Sequence, residues 1–442
     1  MPKQPLQTSN PQQMWAIALP LIISNISTPM LGLVDTAIMG HLSDASYLGA
    51  IALGSLIFNF IFWSFGFLRM GTTGIAAQAF GQQDYDEIRA VFGRALFIAL
   101  IIACAIVLVQ QPINLLSFHI IDSSAIIEQR ASEYFNIRIW STPATLCNYV
   151  LIGILLAMQN AKAPLIMVVI TNVCNIILDL VFVLWLNMEI TGIALATVIA
   201  EYLGLLIGLF LLTKQFRLYP GNWFRHQILD QLAIKKLLFI NQNIFIRTLC
   251  LMFTFAFFTV QSAKFGELIL AANTILLNFQ MFMAYALDGF AHATEALVGK
   301  AIGSRDRKLF KQTIKTACTW SFIVALLFTL TYGLFGRTII DLLTNIETVR
   351  TSAYIYLPWL IAAPIISVWC YLLDGIFIGA TLSREMRNTM LFSTVFCFLP
   401  AWYGFRALEN HGLWLALLIF LAARGLSMLM IFKKTRINSL NT

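Results

Sequence analysis

Thr171-Asn172-Val173-Cys174-Asn175-Ile176-Ile177-Leu178-Asp179 lies at the centre of an otherwise apolar run from 163 to 187. The run is long enough to cross a bilayer as a helix, which takes about 20 residues. Asn172, Asn175 and Asp179 are spaced i, i+3 and i+7, so one helix face carries all three. Leu, Ile and Val cover the remainder. A polar stripe on such a helix has to face protein or a water-filled cavity, because lipid offers no hydrogen bonds. Asparagines alone would serve as interhelical hydrogen-bond glue. A carboxylate at membrane depth costs about 2.5–3.5 kcal/mol on insertion scales, so the added Asp179 points to function.

The rest of the chain has the same character. Of its 442 residues, 59% are hydrophobic and 11% are charged, against about 45–50% and 25% in soluble domains. A water-exposed shell could not be built from so few polar residues. The composition excludes a cytosolic enzyme, a disordered chain and a secreted disulfide scaffold. It leaves an all-α polytopic membrane protein. The seven cysteines lie in apolar runs with no CxxC pair, so neither a disulfide framework nor a metal site is expected. The polar N-terminus lacks a signal-peptide pattern, and the first span is expected to stay in the mature protein.

Twelve apolar runs are long enough to span. The first six cover 14–39, 46–77, 90–110, 132–158, 163–187 and 191–213. The second six cover 236–261, 268–300, 313–335, 351–380, 388–408 and 411–432. With the N-terminus in the cytoplasm, inside segments hold 20 Lys and Arg, and outside segments hold 5. The positive-inside rule therefore places both termini in the cytoplasm. The formal net charge of +8 reflects this topology and not nucleic-acid binding, since no basic helix carries interleaved aromatics.

The polar segment 214–235, with Pro220, Gly221 and Asn222, divides the spans six and six. An N-lobe is expected over 1–220 and a C-lobe over 221–442. Faint likeness joins the halves. Gly81-Gln82-Gln83-Asp84 follows span 2, and Gly303-Ser304-Arg305-Asp306 follows span 8. Pro143 and Gly153 in span 4 match Pro364 and Gly375 in span 10. Duplicated halves around a central cavity are a recurrent transporter design.

Other polar groups fall inside the spans. Asp35 is the acid of span 1, and its depth matches that of Asp179. Two acids sharing a dry site cannot both ionise cheaply, which makes the pair a candidate proton or cation site. Thr197 in span 6 adds a neutral oxygen, and Glu201 lies one turn further on. Pro20 removes a backbone hydrogen bond in span 1 and allows a hinge there. In the second half, Asp288 and Glu295 share a face of span 8, Asp374 lies in span 10, and Arg247 in span 7 is placed to neutralise a carboxylate. The abundant aromatics, 35 Phe among them, can line a greasy cavity for organic cations.

These residues together resemble the multidrug and toxic compound extrusion (MATE) family, and its DinF-like branch in particular. The resemblance rests on Pro20 with Leu33-Val34-Asp35-Thr36-Ala37-Ile38-Met39-Gly40-His41-Leu42, on Gly71-Thr72-Thr73-Gly74, and on Gln78-Ala79-Phe80-Gly81. It continues through Pro143, Gly153, Lys162-Ala163-Pro164 and Asn175-Ile176-Ile177-Leu178-Asp179. It ends with Asp288-Gly289-Phe290, Glu295-Ala296 and Asp374-Gly375-Ile376-Phe377-Ile378-Gly379-Ala380-Thr381. It implies two pseudo-symmetric six-helix lobes and alternating access. It implies export of lipophilic, mostly cationic drugs from a bacterial inner membrane by a monomer, driven by proton or sodium influx. It also implies a coupling site at Asp35, Asn175, Asp179 and Thr197, with Pro20 as the associated bend. No cofactor is implied beyond the coupling ion.

One departure stands out. Branches with a cation site in the C-lobe pair acids on spans 7 and 10, and span 7 here carries Arg247 instead. Proton coupling through the N-lobe is therefore the leading expectation, with sodium as the alternative. Two rival readings are a lipid or lipid-linked oligosaccharide flippase of the same superfamily and a membrane-embedded enzyme. The flippase would need a large cationic groove, whereas intramembrane arginine is limited to Arg69, Arg138, Arg247 and Arg424. The enzyme would need convergent catalytic groups, and neither HExxH nor GxSxG stands out.

Overall fold

The computed structural model describes residues 11–39, 45–120 and 124–435, without the side chains of 28–31, 33–39, 45, 120 and 435. Every regular element among them is helical. In the first half these are α1 (Pro11–Met39), α2 (Ala45–Ser64), α3 (Phe67–Gln82), α4 (Tyr85–Leu108), α5 (Gln110–Ile120), α6 (Ala125–Arg138), α7 (Thr142–Ala157), α8 (Lys162–Asp179) and α9 (Glu189–Leu218). A short α10 (Arg225–Ile228) lies in the linker. Then follow α11 (Gln231–Lys264), α12 (Glu267–Gly303), α13 (Arg307–Leu343), α14 (Glu347–Gly379), α15 (Ser383–Phe392), α16 (Leu399–Phe405) and α17 (Glu409–Thr435).

Ten stretches among the described residues are long and apolar enough to cross a membrane. The last, Ser383–Lys434, holds two passes. They part at Glu409, whose φ of 49° breaks the helix. With this division, and with α1, the twelve expected spans are all present. Helices are the solution because each satisfies its own backbone groups away from water. Span 2 is broken at Phe65-Gly66 into α2 and α3. Span 4 is α6 and α7 joined by a tight turn at Ile139–Ser141.

The halves repeat each other at the level of local geometry. Gln83 and Arg305 both adopt the left-handed conformation, at φ 62° and 54°. The next residue in each case is a capping aspartate. Asp84 accepts from Glu87 N at 2.9 Å, and Asp306 accepts from Leu309 N at 2.8 Å. The faint Gly-x-x-Asp likeness is thus one turn used twice: a left-handed exit followed by an N-cap. Gln159 and Thr381 share the left-handed exit, at φ 62° and 56°, after α7 and α14. Wide π-type helical turns, Leu180–Trp185 and Ser393–Phe398, extend α8 and α15.

Gly153 and Gly375 are in the same register. A Cβ on Gly153 would stand 2.8 Å from the Arg69 carbonyl oxygen, and one on Gly375 would collide with that of Ala291. Each glycine lets its helix lie directly on the second span of its half. The prolines are less alike. Pro143 opens the first turn of α7, whereas Pro364 sits inside the continuous α14.

The division into compact units differs from the one read from the linker. One unit is Ile23–Leu238; the other joins the chain up to Ile22 with Phe239–Thr442. Among the described residues, Pro11–Ile22 thus group with the chain from Phe239 onward. The cause is packing. Met14, Ile17, Ala18 and Leu21 are buried, and the Trp15 ring meets Phe290 and Trp320 edge-on at 5.0 and 5.3 Å. The linker folds onto α4. Buried Arg89 donates to the carbonyls of Phe216 and Tyr219 at 3.0 and 2.9 Å, and Asn222 N donates to Asp86 at 2.5 Å. α1 runs unbroken through Pro20, and the unit boundary falls just beyond it.

Candidate functional site

The polar stripe of α8 sits in the Ile23–Leu238 unit. Asn175 and Asp179 are 1% and 0% exposed. Asp179 is the last residue of α8, and the wide turn Leu180–Trp185 begins after it. Such turns recur at functional sites because they re-aim a side chain within a helix. α9 packs alongside and brings Thr197. In one orientation the Asn175 amide donates to Thr197 Oγ1 at 3.3 Å. In the other, Nδ2 donates to Asp179 Oδ2 and Oδ1 accepts from Thr197 N, both at 3.2 Å. The second satisfies both amide atoms and ties the three residues into one cluster. Thr197 Oγ1 donates back to Ile193 O at 3.0 Å.

Asn172 turns away from this cluster. Its Nδ2 donates to Ser27 Oγ on α1 at 3.3 Å, so the stripe splits between two neighbouring helices. Asp35 belongs to α1, but its side chain lies outside the described residues. A carboxylate, an amide oxygen and a hydroxyl within one cluster can receive a proton or ligate a small hard cation.

Glu201, one turn along α9 from Thr197, accepts from Asn148 Nδ2 on α7 at 3.0 Å. Arg138 lies within electrostatic reach of it. Arg138 in turn donates to the Tyr134 hydroxyl, and its guanidinium lies 4.9 Å from the Phe58 ring. The intramembrane arginine thus has a hydroxyl and a ring as partners, while its Nε is buried without one.

The other unit holds a second polar cluster. Arg247 of α11 and Arg424 of α17 both donate Nη2 to Oδ2 of Asp374 on α14. All three are buried. Two guanidinium groups on one carboxylate repel a further cation, so this acid is a poor ligand for sodium. On α12, Glu295 is fully buried and Asp288 half-buried, and Asp288 acts electrostatically on Tyr285 and Tyr371. Several turns away, Asn273 of α12 ties α11 and α17 together. It donates to Ser262 Oγ and Asn410 Oδ1, both at 2.7 Å, and accepts from Asn410 Nδ2 at 3.0 Å and Trp414 Nε1 at 2.9 Å.

The sequence spacing singles out Asn175, Asp179, Thr197 and Asp374, and it leaves out the partners. Asn148, Asn273 and Arg424 carry no periodic signal. An arginine or asparagine at membrane depth was the available clue, because each must find a partner there.

A family model named MatE matches two stretches of the chain, 20–181 and 244–403, one in each half. The chain is 43% identical over 432 residues to DNA damage-inducible protein F of Escherichia coli K12, covering 97% of this chain and 93% of that one. It is 25% identical to a probable multidrug resistance protein NorM of Photorhabdus laumondii, over 76% of this chain and 74% of the relative. Its fold matches that of a MOP superfamily transporter from Pyrococcus furiosus with a TM-score of 0.87, at 19% identity, over 98% and 97% of the two chains.

Proposed function

The chain belongs to the MatE family, and from that premise we propose that it exports lipophilic, mostly cationic organic compounds by antiport with protons. It is an integral membrane protein of a transporter family. Its place in this reading is the bacterial inner membrane, as a monomer with both termini in the cytoplasm. The observation that carries the coupling is the cluster of buried Asn175 and Asp179 with half-buried Thr197 between α8 and α9. In this reading Asp35 supplies the second acid.

Protonation there removes a charge from a site where charge is costly. α1 then bends at Pro20, two residues before the chain passes from one unit to the other. Proton and drug favour different shapes of the carrier, as exchange requires. Sodium at the same oxygens is the alternative driver. Multidrug names among the relatives support the substrate class.

Ethidium efflux from proteoliposomes tests the proposal. A pH gradient alone should drive efflux, and Asp35→Asn or Asp179→Asn should abolish it. Efflux driven by sodium alone and untouched by either substitution would move coupling elsewhere. No efflux under either gradient would favour the flippase.

A further inference from the structure

Arg247, Asp374 and Arg424 come from three membrane-spanning helices of one unit. Among the described residues, Asp374 is the carboxylate with which each arginine pairs. Two fixed positive charges therefore share one negative charge. A guanidinium does not lose its proton to escape that imbalance. An uncompensated charge in a low-dielectric interior is costly. Hydrogen-bonding capacity is left over as well, since Arg247 Nε, Arg424 Nε and Asp374 Oδ1 are buried without partners. Asp288 reaches Tyr371 and Cys370 electrostatically. Arg247 is 7% exposed and Arg424 1%, so Arg247 is the more accessible of the two.

We infer that this cluster is a carboxylate-binding subsite. Arg247 receives the carboxylate of a transported amphiphile, and Arg424 holds Asp374 behind it. One monoanion restores neutrality, and the planar guanidinium fork matches a carboxylate in shape. The substrate class then widens from lipophilic cations to zwitterions and carboxylates. This rests on the export reading above.

Rhodamine 123 and rhodamine 110 test it, being the methyl ester and the free acid of one fluorophore. Binding of each to the purified full-length protein is read by anisotropy, and each is followed out of proteoliposomes. The quantity of interest is the affinity ratio of rhodamine 110 to rhodamine 123. Arg247→Gln should lower it by about tenfold or more, the loss of a charge-assisted hydrogen bond. Asp374→Asn keeps both arginines and should raise it. A purely structural ion pair would leave the ratio unmoved in both variants, which overturns the inference. So would a wild type that binds no rhodamine 110. A ratio that shifts as expected without transport of either dye keeps the subsite and sinks the export reading. Should a variant not fold, the wild type decides. There 4-butylbenzoate should displace rhodamine 110 and its methyl ester should not; equal displacement overturns the inference.

Discussion

Replacing Asn273 by Leu should destabilise the second unit and loosen the helices that carry Arg247 and Arg424. Asn273 is fully buried and makes four hydrogen bonds to Ser262, Asn410 and Trp414. Leucine keeps the branching and the number of heavy atoms and removes every bond. Ser262 still donates to Phe258 O at 2.9 Å, so it is not stranded. Both amide atoms of Asn410 and the indole N–H of Trp414 lose these partners. Interhelical hydrogen bonds in membranes average about 0.6 kcal/mol and reach about 1.7. Four of them give a loss of about 2 kcal/mol, rising to about 5 if the stranded groups find no water. The assay is the apparent Tm of the purified protein in detergent, which should fall by a few degrees. Asn273→Leu/Asn410→Leu also removes the stranded amide, so it should be no less stable than the single variant. A single variant as stable as wild type, or a double variant whose losses simply add, would refute the reasoning.

Three further outcomes are expected. Gly375→Ala should lower folded yield more than Gly153→Ala, because its Cβ collides with the Ala291 carbonyl; overpacking of this kind costs about 1–3 kcal/mol, and size-exclusion profiles report it. Asp84→Ala and Asp306→Ala should each cost about 1 kcal/mol as lost N-caps, visible as matched drops in Tm. Arg89→Ala frees the Phe216 and Tyr219 carbonyls, so limited trypsin digestion should cut at Arg217 or Arg225 several-fold faster than in wild type.

The twelve spans and the α8 stripe were legible because lipid imposes two strict rules: length, and no unpaired polar group. Asp179 and Asn175 broke the second rule in a regular i, i+4 spacing, and so stood out. Asn172 shared their face and yet turned to Ser27, because a helix face is wide enough to meet two neighbours. Arg247 was placed as a neutraliser, but its partner Asp374 lies 127 residues away and nothing in the local pattern selects it. The first helix read as part of the first lobe because it precedes it in the chain.

The sequence by itself determined that this chain is an all-helical membrane protein, where its helices run and which of them carry polar groups. Each of these follows from local composition and the thickness of a bilayer. Only the tertiary structure decided that Pro11–Ile22 packs with the second half, that Asp374 is held by two arginines, and that Asn175 binds Asp179 and Thr197 together. Those are pairings between distant segments. They are set by which side chains fit and which buried charges find partners once the helices have packed.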